Sequence, residues 1–188
     1  VSEDRFPALT DAQMTPRQKE VAETIAGGPR GGLRGPFVAL LHHPELADRV
    51  QQLGEHLRYG STLPPSLIEL AILVTARHWD CQYEWFAHER VARTRTDLPD
   101  AVIRAVQAGL IPETMSDDER VVHDFAVGAV RRGAPSDASH DAVAERFGRQ
   151  GVLDLLATCG YYTMIAMVLN TARIPLPEGT VPPLRERH

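Results

Sequence analysis

Cys81, Glu84 and His88 are spaced i, i+3 and i+7. At about 100° per residue of helix they project inside one arc of roughly 60°. A thiol, a carboxyl group and an imidazole sharing a face can exchange protons with one another and with a bound molecule. Trp85, Val91 and Ala92 fall near the same direction, so the face reads as the wall of a partly apolar pocket, with Trp85 a candidate for contact with substrate. Tyr83 is a further binding candidate, although at about 200° around the helix it points away from the other three.

Glu69 lies twelve residues before Cys81, in the strongly apolar stretch Leu67 to Ala76. An ionised carboxylate in such a helix is expensive without a partner, and His88 or a bound water is the natural one. A Glu–His pair supplies two groups whose proton affinities can be tuned toward neutrality. Each residue also has a purely structural reading. Ser66-x-x-Glu69 is a capping box in sequence, which would turn the glutamate back on its own helix. Glu84 and His88 can form an ordinary i, i+4 surface pair, and Cys81 can be a small buried hydrophobe. Two carboxylates with a single histidine make a poor metal site, so no metal and no cofactor are expected.

These side chains need two neighbouring helices to hold them, and the rest of the sequence supplies a helical frame. Thr15-Pro16 opens a helix that runs to Ala26 and stops at Gly27-Gly28. Pro29 to Pro36 reads as a Gly-rich connector, without the Lys-Ser/Thr or preceding strand of a phosphate loop. A short helical segment covers Phe37 to His43, and His42 and His43 read as capping or packing residues. Helices come next from Pro44 to Tyr59, from Ser66 through the apolar stretch, and from Cys81 to Thr94 with Asp80 as N-cap. Others are expected over Pro99 to Ala108, Ser116 to Arg132, Ser136 to Phe147 and Gln150 to Thr171. Alternating β-branched runs and internal repeats are absent. The fold class is therefore all-α, one bundle of seven to nine helices with its core at about residues 15–173 and an extended Pro-rich tail over 174–188.

The chain has 188 residues, 43% hydrophobic and 24% charged, which suits a single globular domain. A net charge of −5 without a basic block argues against nucleic-acid binding. Two cysteines 78 positions apart are too few for a secreted disulfide framework, and Val1 to Arg5 does not look like an export signal. A cytoplasmic location is expected. Val152 to Leu169 approaches bilayer-spanning length, but Asp154, Thr158, Tyr161, Tyr162 and Thr163 favour a buried core helix over a membrane span.

The stretch Glu69…Cys81-Gln-Tyr-Glu84-Trp-Phe-Ala-His88 resembles the signature of alkylhydroperoxidase D-like proteins, a glutamate followed twelve residues later by Cys-x-x-Cys and then a histidine. The variant with Tyr-Glu-Trp before the histidine is similar to the carboxymuconolactone decarboxylase branch. Gly35-Pro36-Phe37 with Leu41-His42, Gly160-Tyr-Tyr-Thr163, Leu169-Asn170 and Pro175-Leu-Pro-Glu-Gly179 carry the resemblance across most of residues 15–180. It implies an all-helical fold assembled as a homo-oligomer, a trimer, hexamer or dimer, with the pocket near subunit contacts. In the peroxidase members the second cysteine resolves the first, and here Glu84 stands in its place, so Cys81 would need Cys159, another chain or an external thiol. An ionised Glu84 about 5 Å from the Cys81 sulfur would oppose thiolate formation by roughly 3 kcal/mol at an effective dielectric of about 20, more than the roughly 0.3–2 kcal/mol a helix N-terminus returns.

The leading expectation is a cofactor-independent acid–base enzyme acting on a small organic acid or lactone, by decarboxylation, double-bond shift or related lactone chemistry. Glu84 moves the proton, His88 exchanges with it and Glu69 holds the histidine tautomer. The alternatives are a thiol peroxidase using Cys81 and a binding protein that keeps the fold with a decayed site.

Overall fold

A computed structural model of the chain describes residues 5–29 and 31–185. The reading of the first four residues as free of an export signal, the connector position 30 and the last three tail residues lie outside that description. The described residues form helices and no strand: α1 (Pro16–Gly27), α2 (Pro36–Leu40), α3 (Pro44–Glu55), α4 (Pro65–His78), α5 (Gln82–Arg95), α6 (Asp100–Ala108), α7 (Asp117–Arg132) and α8 (Asp137–Ala172).

Local chemistry sets most of the boundaries. Thr15 and Ser116 each form a reciprocal capping box, with Gln18 and Glu119. His43 caps α3 by accepting the Leu46 N–H at Nδ1, while His42 lies edge-on to Phe6 with Nε2 3.0 Å from the Pro7 carbonyl oxygen. Gly109 and Gly133 close α6 and α7 in the left-handed conformation. The helices expected over 136–147 and 150–171 are the two segments of α8, which meet at a kink where Gly148 is non-helical (φ 68°, ψ 179°).

α4 is the hub. It is buried from Leu67 to Arg77 and packs against α5, α6, α7 and α8, which explains why its sequence is apolar almost all round. The apolar window of α8 is long enough to cross a bilayer by length and composition, but 56% of it is buried inside the bundle. Trp79, in the turn between α4 and α5, is tied to α8 twice: its indole N–H donates to Thr163 Oγ1 at 3.0 Å and its carbonyl accepts from Asn170 Nδ2 at 3.1 Å. These ties fix where α5 begins.

Two starts differ from the sequence reading. α4 begins at Pro65 with Pro64 as its N-cap and no side-chain cap, so Ser66 sits inside the first turn and the Ser66–Glu69 capping box does not form. α5 is capped by Cys81, whose backbone is extended (φ −81°, ψ 98°). Asp80 instead adopts φ 46° and pairs with Arg77, a left-handed conformation that a short polar side chain tolerates.

The end of α3 also departs from regular geometry. It continues into a π-helical turn, His56–Gly60, whose exit is held by Asp154 of α8. This buried carboxyl accepts from Ser61 Oγ at 2.8 Å, from the Thr62 N–H at 3.1 Å and from Thr62 Oγ1 at 3.2 Å. Replacing Asp154 with alanine leaves those donors unmatched. It is expected to lower stability by about 1–3 kcal/mol, read as a drop in the urea midpoint at unchanged m-value.

Candidate active site

α5 and α8, the π-helical turn, the connector before α2 and Pro177 of the tail enclose a cavity of about 560 Å³, within the ordinary size range of small-molecule sites. Glu84 and His88 line it together with Tyr83, Tyr161, Tyr162 and Arg58. His88 Nδ1 lies 2.7 Å from Glu69 Oε2, a contact between two buried side chains on adjacent helices. Glu69 thus stands behind the imidazole as its partner and is not itself part of the cavity wall. In the tautomer whose Nδ1–H donates to Glu69, Nε2 is the ring nitrogen left as an acceptor. The Tyr162 ring meets the His88 ring edge-on, with centroids 4.9 Å apart, which fixes the plane of the imidazole.

Glu84 is 2% exposed, and neither carboxyl oxygen has a hydrogen-bond partner. Burial pushes its proton affinity well above the ordinary carboxyl range, because an ion without a partner is disfavoured in a low-dielectric site. Burial thus favours the neutral acid form of Glu84, which has an O–H to give. Burial likewise pushes Tyr162 well above the ordinary phenol value, against the opposing charge of Arg58. The site thus sets a histidine, held at Nδ1 by Glu69, in the same cavity wall as a carboxyl group that burial biases toward its protonated form, a pairing suited to acid–base work.

Cys81 is placed differently. It is 0% exposed and absent from the cavity wall. Burial first, and then the nearby Glu84, push its thiol up to about 12, which leaves a thiolate fraction of about 10⁻⁵ at pH 7. Cys159 is also a free, buried thiol, pushed up to about 12 chiefly by burial. Cys81 is the extended N-cap residue, where the regular rotation of α5 has not yet begun.

Trp85 is 0% exposed, lies outside the cavity wall and donates its indole N–H to Glu89 Oε2 at 2.9 Å; it packs the core behind α5. Tyr83 lines the cavity despite its position on the helix, because the connector closes over it. Gly35 has φ 60°, and a side chain there would place Cβ 2.8 Å from Tyr83 Cε1. Sequence reasoning makes this connector a link only, and the positive-φ glycine is its one visible signal. It also assigns no catalytic or binding role to Arg58, Tyr161 or Tyr162. A tyrosine pair on an otherwise apolar helix is the available clue. Among the described residues no group of three or more His, Cys, Asp or Glu is arranged to hold a metal ion.

No family model matches the chain, and no curated protein matches its sequence. The fold does have a solved counterpart. A crystal structure described as the alkylhydroperoxidase AhpD core of an uncharacterized peroxidase-related protein from Ralstonia eutropha superposes with a TM-score of 0.76 over 95% of each chain, at 17% sequence identity. The protein therefore has the all-helical fold of the alkylhydroperoxidase D core. At that identity the likeness concerns the fold, and the chemistry has to be argued from the side chains of this chain.

Proposed function

We propose that the protein is a cofactor-independent acid–base enzyme that moves a proton to or from carbon in a small organic acid or lactone. The observation that carries this reading is Glu84, a buried carboxyl with no protein partner for either oxygen in the wall of a cavity that also contains His88. Keeping such a group unsatisfied costs about 1–3 kcal/mol, and a bound substrate is the partner that gives the arrangement a use.

In a double-bond shift, His88 Nε2 takes the proton from one carbon of an unsaturated carbonyl compound and Glu84 supplies one to another. In a decarboxylation, the electron pair of the breaking C–C bond passes into a conjugated carbonyl, CO₂ leaves, and Glu84 protonates the carbon. After the double-bond shift, the protonated His88 exchanges with solvent and passes one proton to the Glu84 carboxylate. After the decarboxylation, His88 relays to Glu84 a proton taken from water, and Glu69 keeps the imidazole in the tautomer that can do so.

The test is turnover in D₂O of a panel of unsaturated lactones and oxo acids, with deuterium at the product carbon read by mass spectrometry. Deuterium incorporation that Glu84→Gln abolishes is expected, and a true substrate whose product gains no solvent deuterium would overturn the reading. The thiol-peroxidase alternative is separated by stopped-flow exposure to hydroperoxide. The buried, protonated Cys81 is expected to consume none on the millisecond scale, whereas a stoichiometric burst lost in Cys81→Ser would support the redox reading instead.

A further inference from the structure

We propose that Arg58 is the anchor for an anionic group of the substrate, so that the cavity selects an organic carboxylate and presents its body to Glu84 and His88. This deepens the acid–base reading of the same cavity and rests on it for the chemistry after binding; the binding itself is tested apart from turnover.

Charge is the first observation. Arg34, Arg58, Arg90 and Arg95 all line the cavity, and Glu84 is the one acidic residue among its described lining. With Glu84 in its neutral form, the wall carries positive charge inside a chain whose net charge is −5. A hollow lined by one sign of charge with low-dielectric walls concentrates the opposite charge.

The second observation is Arg58 itself. Its Nε is buried and has no hydrogen-bond partner, and among the described residues no carboxylate pairs with it. Its guanidinium lies 5.1 Å from the centre of the Tyr59 ring, a contact that holds the cation without using up its N–H donors. Burial works against its charge, yet on balance its proton affinity is raised, the carboxylate of Glu69 contributing, so the guanidinium stays protonated. A planar guanidinium with its Nε–H unmatched is suited to a carboxylate, which accepts two parallel hydrogen bonds.

The third observation is the backbone that carries it. Arg58 sits in the π-helical turn His56–Gly60, and such turns re-aim side chains relative to the helix they extend. The three hydrogen bonds to Asp154 at the exit hold that turn against α8, the helix bearing Tyr161 and Tyr162. The anchor and the acid–base pair are thus built on packed helices and keep a fixed separation. Phe37, Phe86, Val91, Ile165 and Leu169 supply apolar wall that an inorganic anion would leave uncovered, which favours an anion with an organic body.

The test uses isothermal titration of the intact protein with isophthalate, with its neutral analogue isophthalamide and with inorganic phosphate. Isophthalate is expected to bind, with isophthalamide and phosphate at least tenfold weaker. Arg58→Met is expected to lose at least tenfold in isophthalate affinity. Arg58→Lys, which keeps the charge without the fork, should recover part of that loss and guards against misfolding of the methionine variant. Equal binding of the diamide, unchanged affinity in both Arg58 variants, or no isophthalate binding at millimolar concentration would overturn the proposal. If Arg58-dependent binding stands while products gain no solvent deuterium, the anion site survives and the acid–base reading falls. Deuterium transfer without Arg58-dependent binding removes the anion site and leaves the acid–base reading in place.

Discussion

Glu84→Gln is expected to lower turnover by about 10²–10⁴-fold, the usual contribution of a positioned proton donor, while making the folded protein harder to unfold as the pH rises. The two effects share one cause. Glu84 is held without a partner, and burial keeps its proton on well above the ordinary value of about 4.5. The unfolded chain releases that proton above its ordinary value, so folding must take it up again, and the linkage slope is negative. Stability is greatest below the unfolded value. It falls by about 1.4 kcal/mol per pH unit as the pH climbs toward the raised value in the folded state.

Glutamine has nearly the same shape and does not titrate, so the variant escapes this loss. Its advantage over the parent protein should be small near pH 4.5 and widen toward neutrality, by about 2–4 °C in Tm per kcal/mol for a chain of this size. Thermal unfolding of both proteins across pH 4.5–7.5 checks it. Parallel curves would mean that Glu84 already has a partner in the folded state, and the case for it as a protonated donor would fail with that result.

The second large effect is expected at Glu69. In Glu69→Gln the amide replaces an acceptor 2.7 Å from His88 Nδ1 with a group that can present an N–H there. That drives the imidazole proton onto Nε2 and removes the lone pair from the cavity side. In the comparable Asp–His arrangement of serine proteases, the same carboxylate-to-amide change lowers turnover by about 10⁴-fold with geometry intact, so a loss of about 10²–10⁴-fold is expected here. Because Glu69 acts through His88, the drop should appear in kcat with little change in KM, and NMR of the imidazole nitrogens should show the tautomer inverted. A normal tautomer with reduced activity would assign Glu69 to packing alone.

How far the primary structure foretells the site differs from residue to residue. Glu84 and His88 are four apart on a helix, so their shared direction comes from helical rotation alone. Glu69 is legible as a carboxyl needing a partner because its neighbours are apolar. Helical rotation turns Tyr83 away from the chemistry, yet the backbone at Gly35 folds over α5 and makes that side of the helix cavity wall. Arg58 carries no signal beyond being one arginine in an amphipathic helix, since its placement depends on a π-helical turn that no local propensity announces.

The amino-acid order thus determined the helices themselves, through prolines at their first turns, Ser and Thr caps, glycine stops and the apolar length of α4, together with the directions of Glu84 and His88 about their own axis. The tertiary structure decided what those directions meet. It buried Cys81 and Trp85 away from the cavity, set Glu69 against the imidazole, and brought Arg58 and the tyrosines of α8 to the far wall. Helical periodicity fixes an angle about one axis, whereas a site requires several axes to be fixed against one another, and that is settled by packing between residues distant in the chain.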